Sequence, residues 1–167
     1  MVLDGYNVLK AMQELKKLTE TDFSAARDRL IEMMAEYGTY RGIEVLIVFD
    51  AHMAPGAREH QETIKGVNVV FTREKMTADS YIEKLIHEYG RLRKVLVVTN
   101  DWTEQLMVLG SGAVRVTVRE LALDLRQARH TIRETTGAGT GHKEFLSNRI
   151  DEQTRKKLER IRRSEDR

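Results

Sequence analysis

The chain has 167 residues, 41% of them hydrophobic and 32% charged, a length and mixture that make one globular domain with a substantial core and exclude a disordered or fibrous polypeptide. There is no cysteine, which excludes a disulfide scaffold and a thiolate zinc site and suits a reducing cytoplasm, while no apolar run approaches the roughly 20 residues that span a bilayer and the start lacks a basic-then-apolar signal pattern. The 28 basic residues exceed the 26 acidic ones by only two, so the distribution of charge, not its sum, has to carry any argument for a nucleic-acid partner.

The chain opens on Met1-Val2-Leu3-Asp4-Gly5-Tyr6-Asn7. A short apolar run ends in an aspartate and is followed by a glycine that permits a sharp turn, the pattern of a buried central strand delivering a carboxylate to the rim of a sheet. Residues 8–18 have mixed polarity and read as a loop or short helix at the mouth of a site. Thr21 or Asp22 caps a helix reaching about Tyr37, in which Phe23, Ala26, Leu30, Met33, Met34 and Tyr37 recur at helical spacing and which Gly38 and Gly42 punctuate. Residues 44–50 form a second buried strand ending in Asp50 and complete a β–α–β unit.

Residues 51–66 contain the only proline and read as an exposed loop. Residues 67–71 form a short strand, and a helix from about Thr77 to Tyr89 follows with Thr77 as its N-cap. Residues 95–99 form a third buried strand, which leads into Asn100 and Asp101. A short helix over 102–109, a strand near a sheet edge over 114–118 and an amphipathic helix over 120–131 complete the alternation. Strands alternating with helices predict an α/β fold with a mostly parallel, doubly wound sheet. The predicted domain is 1–133, followed by a flexible Gly/Thr-rich linker over 134–142 and a basic tail over 143–167 that is helical from about residue 148. The glycines of the linker imitate a phosphate-binding loop, but neither the Gly-Lys-Ser/Thr ending nor a preceding strand is present.

Three strands thus end in Asp4, Asp50 and Asp101, the side of an open α/β sheet where ligands bind. Any one of these aspartates reads equally well as a turn or helix cap. Three on neighbouring strands would converge, and their repulsion favours a bound divalent cation. Asp79, in the first turn of the helix that Thr77 opens, suits the helix dipole there and offers a fourth carboxylate, with Glu83 on the same face. Hard oxygen donors point to Mg²⁺ or Mn²⁺, and no Cys or paired-His spacing favours zinc. Asn7, Thr99 and Asn100 are suited to orienting ligands or meeting a phosphate. The five histidines are scattered; His52, beside Asp50, is the one nearest the predicted rim. No Gly-x-Ser-x-Gly elbow supports a serine hydrolase. Arg58, Lys65, Arg73 and Lys75 are expected around the acidic rim, and Arg155, Lys156, Lys157, Arg160, Arg162 and Arg163 on the tail helix read either as a solvated charged face or as contacts for RNA phosphates.

Asp4-Gly5-Tyr6-Asn7, Val48-Phe49-Asp50-Ala51-His52, Thr77-Ala78-Asp79-Ser80-Tyr81-Ile82-Glu83 and Val98-Thr99-Asn100-Asp101, in that order and at these spacings, resemble the NYN domain family of PIN-like ribonucleases, in particular its YacP-like bacterial branch. The likeness covers about residues 1–125, and the basic tail also looks like that branch. Only three residues precede Asp4, fewer than the family's first strand usually has. The resemblance implies a single-domain PIN-like fold, a metal-dependent endoribonuclease of single-stranded RNA or mRNA, Mg²⁺ or Mn²⁺ held by Asp4, Asp50, Asp79 and Asp101, and the ribosome or ribosome-bound mRNA as partner in the cytoplasm. Two other classes fit parts of the pattern. A non-catalytic RNA- or ribosome-binding module would use the acidic cluster structurally, and a small phosphatase would use strand-end aspartates, although Asp4 lacks the second aspartate two residues on that aspartyl-phosphate chemistry needs.

Overall fold

Short β-branched runs and longer amphipathic segments alternate along the chain, and the computed structural model turns each into an element; it describes residues 1–50, 58–89, 92, 94–100 and 113–147, with side chains as far as residue 135. In chain order these are β1 (Val2–Asp4), α1 (Gly5–Ala11), α2 (Gln13–Thr19), α3 (Phe23–Arg41), β2 (Leu46–Phe49), β3 (His60–Ile64), β4 (Val67–Phe71), α4 (Ala78–Tyr89), β5 (Leu96–Val98), β6 (Val114–Val116) and α5 (Val118–Ser147). The six strands form one sheet in the order β3-β4-β2-β1-β5-β6. All neighbours are parallel except β3, which runs antiparallel to β4.

β1 lies between β2 and β5, with Leu3 opposite both Ile47 and Val98. Successive strand residues point to opposite faces, so Leu3, Ile47, Phe49 and Val98 pack under the helices α1, α2, α3 and α5, while Val2, Val48 and Val97 pack with Ala78, Ile82 and Ile86 of α4. Burial on both faces explains why these strands read as unbroken apolar runs. The winding passes from β1 outward to β2 and β4 and then returns to β5 on the other side. The carboxyl ends of β1 and β5 therefore flank the switch point of the sheet, where such folds bind their ligands.

The caps follow the sequence. Asp22 Oδ1 accepts from Ala25 N at 2.9 Å to start α3, and Thr77 Oγ1 accepts from Ser80 N at 3.1 Å to start α4. α3 runs through Gly38, where a side chain would meet Val45, and ends at Arg41 with Gly42 left-handed at φ 64°.

Three expectations change. The stretch 51–66, read as a loop, contains β3: its polar sequence lacks strand alternation because it is an exposed edge strand, and a two-residue turn of Lys65 (φ 52°) and Gly66 (φ 83°) folds it onto β4. The stretch 134–142, read as a linker, is helical backbone within α5; no proline interrupts it, although each glycine costs the helix about 1 kcal/mol relative to alanine. Gly5 does not serve a left-handed turn, since it has no positive φ. It is required because a Cβ there would run into the Phe49 ring at Cε1, Cδ1 and Cζ. The predicted short helix over 102–109 and the tail helix beyond residue 147 lie outside the described residues.

The chain divides into two compact units, Met1–Ala128 and Arg129–Arg167. The first holds the sheet and its helices. In the described part of the second, His130 Nδ1 lies 3.3 Å from Glu134 Oε2 one turn on, and Thr135 Oγ1 donates to Thr131 O at 2.9 Å.

Phe49 is fully buried, so the chain cannot give way cheaply at Gly5. Gly5→Ala is expected to lower the unfolding free energy by about 2 kcal/mol or more, read as a drop in the urea midpoint; an unchanged midpoint would mean that the Phe49 ring repacks freely.

Candidate active site

The register that sets Leu3 opposite Ile47 and Val98 brings three chain segments to one end of the sheet. Asp4 is the last residue of β1 and the N-cap of α1, its Oδ1 accepting from Asn7 N at 3.0 Å. Asp50 follows β2 directly, and its Oδ1 accepts from the N–H of Ala78, the first residue of α4. Asp79 is the next residue of that helix. Two aspartates thus act as helix caps and still lie at a shared rim, so the bland and the functional readings coexist.

The carboxylates of that rim act on one another. Burial pushes the Asp4 carboxyl up to about 6 from the ordinary 3.8; the bond from Asn7 N opposes the rise, and the charges of Asp79 and Asp50 add to it. Asp4, Asp50, Tyr6, Asn7, Lys10 and Phe23 line a cleft of about 380 Å³. Tyr6 is also pushed above its ordinary value, first by burial, with the Arg27 charge pulling the other way.

Asn7 and Asn100 tie the rim together. Asn7 Oδ1 accepts from Asn100 N at 3.3 Å, and Asn100 Oδ1 accepts from Val118 N at 3.1 Å at the start of α5. The ends of β1 and β5 are thereby fastened to a third element. Thr99, suited by its sequence position to orienting ligands or meeting a phosphate, is fully buried just past the end of β5, beneath the rim and not on its surface. Glu83 is exposed one turn further along α4. Asp101 and His52 lie outside the described residues.

The basic residues divide. Arg58 precedes β3 and Arg73 and Lys75 follow β4, which places them at the acidic end of the sheet. Lys65 does not belong with them. It sits in the β3–β4 turn at the opposite end, and its Nζ lies 2.7 Å from Glu32 Oε1 of α3; the antiparallel hairpin, which the sequence pattern does not reveal, reverses its position. Arg155, Lys156, Lys157, Arg160, Arg162 and Arg163 lie outside the described residues.

Lys10, Phe23 and Arg27 belong to the site although the sequence does not mark them for it. Phe23 carries the helical spacing of a core residue, but as the first residue of α3 it is 41% exposed. Lys10 lies one turn after Tyr6 on the same face of α1, a spacing that becomes informative only once residues 5–11 are known to be helical, whereas Arg27 comes near Tyr6 only through the packing of α3.

The donors are hard carboxylate oxygens, the chemistry of a Mg²⁺ or Mn²⁺ site, and their mutual repulsion at Asp4 is the kind that a cation relieves. Among the described residues, however, no group of three His, Cys, Asp or Glu side chains is arranged to hold a metal ion by itself. The donor type fits a hard cation; the set among the described residues is not complete.

Residues 1–163 match the YacP-like NYN domain. The chain belongs to this family. It is 37% identical over 166 residues to "Uncharacterized protein YacP" of Bacillus subtilis (strain 168), with 99% of this chain and 97% of that protein covered. The crystal structure of Rae1 (YacP) from Bacillus subtilis matches with a TM-score of 0.72 at 37% identity, covering 98% of this chain and 94% of that one. A tryptophan-to-leucine mutant of Rae1 matches with the same TM-score at 38% identity, over 84% and 82% of the two chains. The NYN domain is a nuclease-type fold, and membership suggests an RNA-related role for this chain. The resemblance carried by the four sequence motifs, and the α/β fold that it implied, are therefore borne out.

In this NYN domain the raised Asp4 predicts a pH dependence with a definite sign. The folded chain holds the Asp4 proton more tightly than the unfolded chain, so stability falls as pH rises from about 4 to about 6, and the full cost stands above that. The rise to about 6 corresponds to roughly 3 kcal/mol. Asp4→Asn keeps an N-cap side chain and removes the charge. In chelator it is expected to unfold at higher urea than wild type at about pH 7.5 and to match it near pH 4; equal stabilities at both pH values would show that neither burial nor the neighbouring charges raise the Asp4 carboxyl.

Proposed function

We propose that the chain is a metal-dependent endoribonuclease that cleaves single-stranded RNA, mRNA in particular, in association with the ribosome in the cytoplasm. The observation that carries this reading is the meeting of Asp4, Asp50 and Asp79 at the carboxyl end of a NYN-family sheet, close enough for their charges to act on one another. Asp4, Asp50 and Asp79, together with Asp101, are the residues that would hold Mg²⁺ or Mn²⁺. One or two such ions, when bound, supply a water oriented for in-line attack on a phosphodiester and charge to offset the leaving oxygen.

The chain's own part is to place these groups. The Ala78 N–H fixes Asp50, and the Asn7 N–H fixes Asp4. Asn7 and Asn100 hold the two strand ends at one spacing. Lys10, exposed on the same cleft, is placed to take a phosphate oxygen, and Arg58, Arg73 and Lys75 extend positive charge around that end. The ribosome is proposed from the family resemblance and from the basic run of the tail. The cytoplasm is consistent with the finding that no helix among the described residues is long and apolar enough to cross a membrane.

A second reading, an RNA- or ribosome-binding module without catalysis, draws on one observation: Asp4 and Asp50 both cap helices, so a structural role accounts for part of their presence.

The two readings separate in one assay. Purified protein is incubated with a labelled single-stranded RNA in Mg²⁺, Mn²⁺ or excess chelator, beside a folded Asp79→Asn variant. The expected result is internal cuts that require metal and fall by at least about 100-fold in the variant. No cuts on free RNA or on translating ribosomes would leave the binding module. Substituting Arg160, Arg162 and Arg163 with alanine is expected to weaken RNA or ribosome binding and to make it less sensitive to salt, by about one released counterion for each phosphate the tail no longer neutralises, with the single-turnover rate on saturating RNA unchanged; a slower rate would place the tail in the chemistry.

A further inference from the structure

The cleft that holds Asp4 and Asp50 is not purely acidic. Tyr6, Phe23 and Lys10 share it. Phe23 is 41% exposed, its ring 5.4 Å from that of Tyr6 and tilted by 53°. Tyr6 in turn lies 5.2 Å from Phe49, which is fully buried. The exposed ring is therefore the outermost member of an aromatic series rooted in the core. The Tyr6–Phe23 pair is tilted, not stacked in parallel, and the exposure of Phe23 leaves part of its surface open to a partner.

A single exposed phenylalanine on a protein surface is ordinary. This one is set apart by its surroundings. Helix α3 does not need it, because Asp22 already caps Ala25 N. Lys10 reaches the same cleft from the last turn of α1 and has no ion partner among the described residues. Arg27 lies 5.7 Å over the Phe71 ring, and its charge acts on Tyr6, so a second cation borders the aromatic wall. An exposed ring, two cations and adjacent carboxylates match the parts of one nucleotide: a base with a π-face, a phosphate, and the neighbouring phosphodiester.

We infer that Phe23, backed by Tyr6, is a stacking platform for one unpaired nucleobase of a single-stranded RNA, with Lys10 taking a phosphate of the same strand while the adjoining phosphodiester faces Asp4 and Asp50. This deepens the nuclease reading and rests on it. At about 380 Å³ the cleft stands at the small end of ligand sites, which run from roughly 300 to 1,000 Å³, a scale that suits a single nucleotide; a base can lie on the exposed ring only with one face free, as in an unpaired strand. Stacking on an aromatic ring is tolerant of base identity. The subsite therefore selects for strandedness, not for sequence.

The test uses the full chain. Binding of a fluorescent single-stranded RNA is measured in chelator, and cleavage kinetics in Mg²⁺ or Mn²⁺, for wild type, Phe23→Ala, Phe23→Leu and Phe23→Trp. The platform predicts that Ala and Leu weaken binding and raise KM about tenfold with kcat little changed, and that Trp stays within about twofold of wild type. Leucine retains apolar bulk, so full binding by Phe23→Leu would assign Phe23 a packing role and overturn the inference. A scan of single abasic sites through the RNA adds an independent readout: one position should weaken wild-type binding and have no effect on Phe23→Ala. Wild type that cleaves RNA while all three variants bind equally would overturn the platform and leave the nuclease reading standing. Wild type that neither binds nor cleaves RNA would overturn both.

Discussion

Asp4 is ionised at neutral pH only at a cost, and much of the surrounding structure manages that cost. The side chain sits at the end of the central strand, largely out of water and within reach of two other carboxylates, and this lifts its pKa to about 6. One N–H of α1 compensates in part. Asp50 receives similar help from the first N–H of α4, so two helix N-termini point their positive ends at the same small volume. A sheet whose neighbouring strands were not parallel, or whose register slipped by one residue, would turn these carboxylates to different ends or faces. The covered, parallel arrangement of β1, β2 and β5 is thus a condition for assembling the rim at all.

That condition explains what could be read in the sequence. β1, β2 and β5 announce themselves because both faces are buried and the runs are continuously apolar. α3 and α4 announce themselves through their caps at Asp22 and Thr77. Asp4, Asp50 and Asp79 could be placed because each is tied to one of those clear elements. β3 could not, since His60, Gln61, Glu62 and Thr63 are all exposed and its turn places a lysine, where asparagine or glycine is usual, at positive φ. The misplacing of Lys65 follows from that hidden hairpin. The glycines over 134–142 mislead in the opposite sense, because composition measures the cost of a helix and not whether neighbouring turns carry it.

Phe23 shows a different limit. Its spacing is that of a core residue, and a periodicity argument cannot tell the first residue of a helix, which projects past the packed face, from those that follow. Lys10 is legible once residues 5–11 are known to be one helix, which sets it a turn after Tyr6; Arg27 is legible only once α3 is folded against the sheet. Gly5 stands out in the sequence, but the turn it suggests is not the reason for it: what the position requires is the absence of a side chain against Phe49, not an unusual backbone angle. The adjacent Tyr6 then occupies the space over the same ring, so one close approach links the turn after Asp4 to the wall of the cleft.

The edge strand β3 has a consequence for the protein in a crowded cell. An open sheet offers unpaired backbone groups along its outer strands, and flat apolar edges recruit further strands from other chains. Here one outer strand shows His60, Gln61, Glu62 and Thr63 to solvent, and the other, β6, is three residues long with Arg115 at its centre. The strands rich in valine and isoleucine lie between them. The segments most prone to self-association are thus enclosed by polar or short borders, and a fold that concentrates carboxylates at one end of its sheet is guarded along its sides against growing into a larger one.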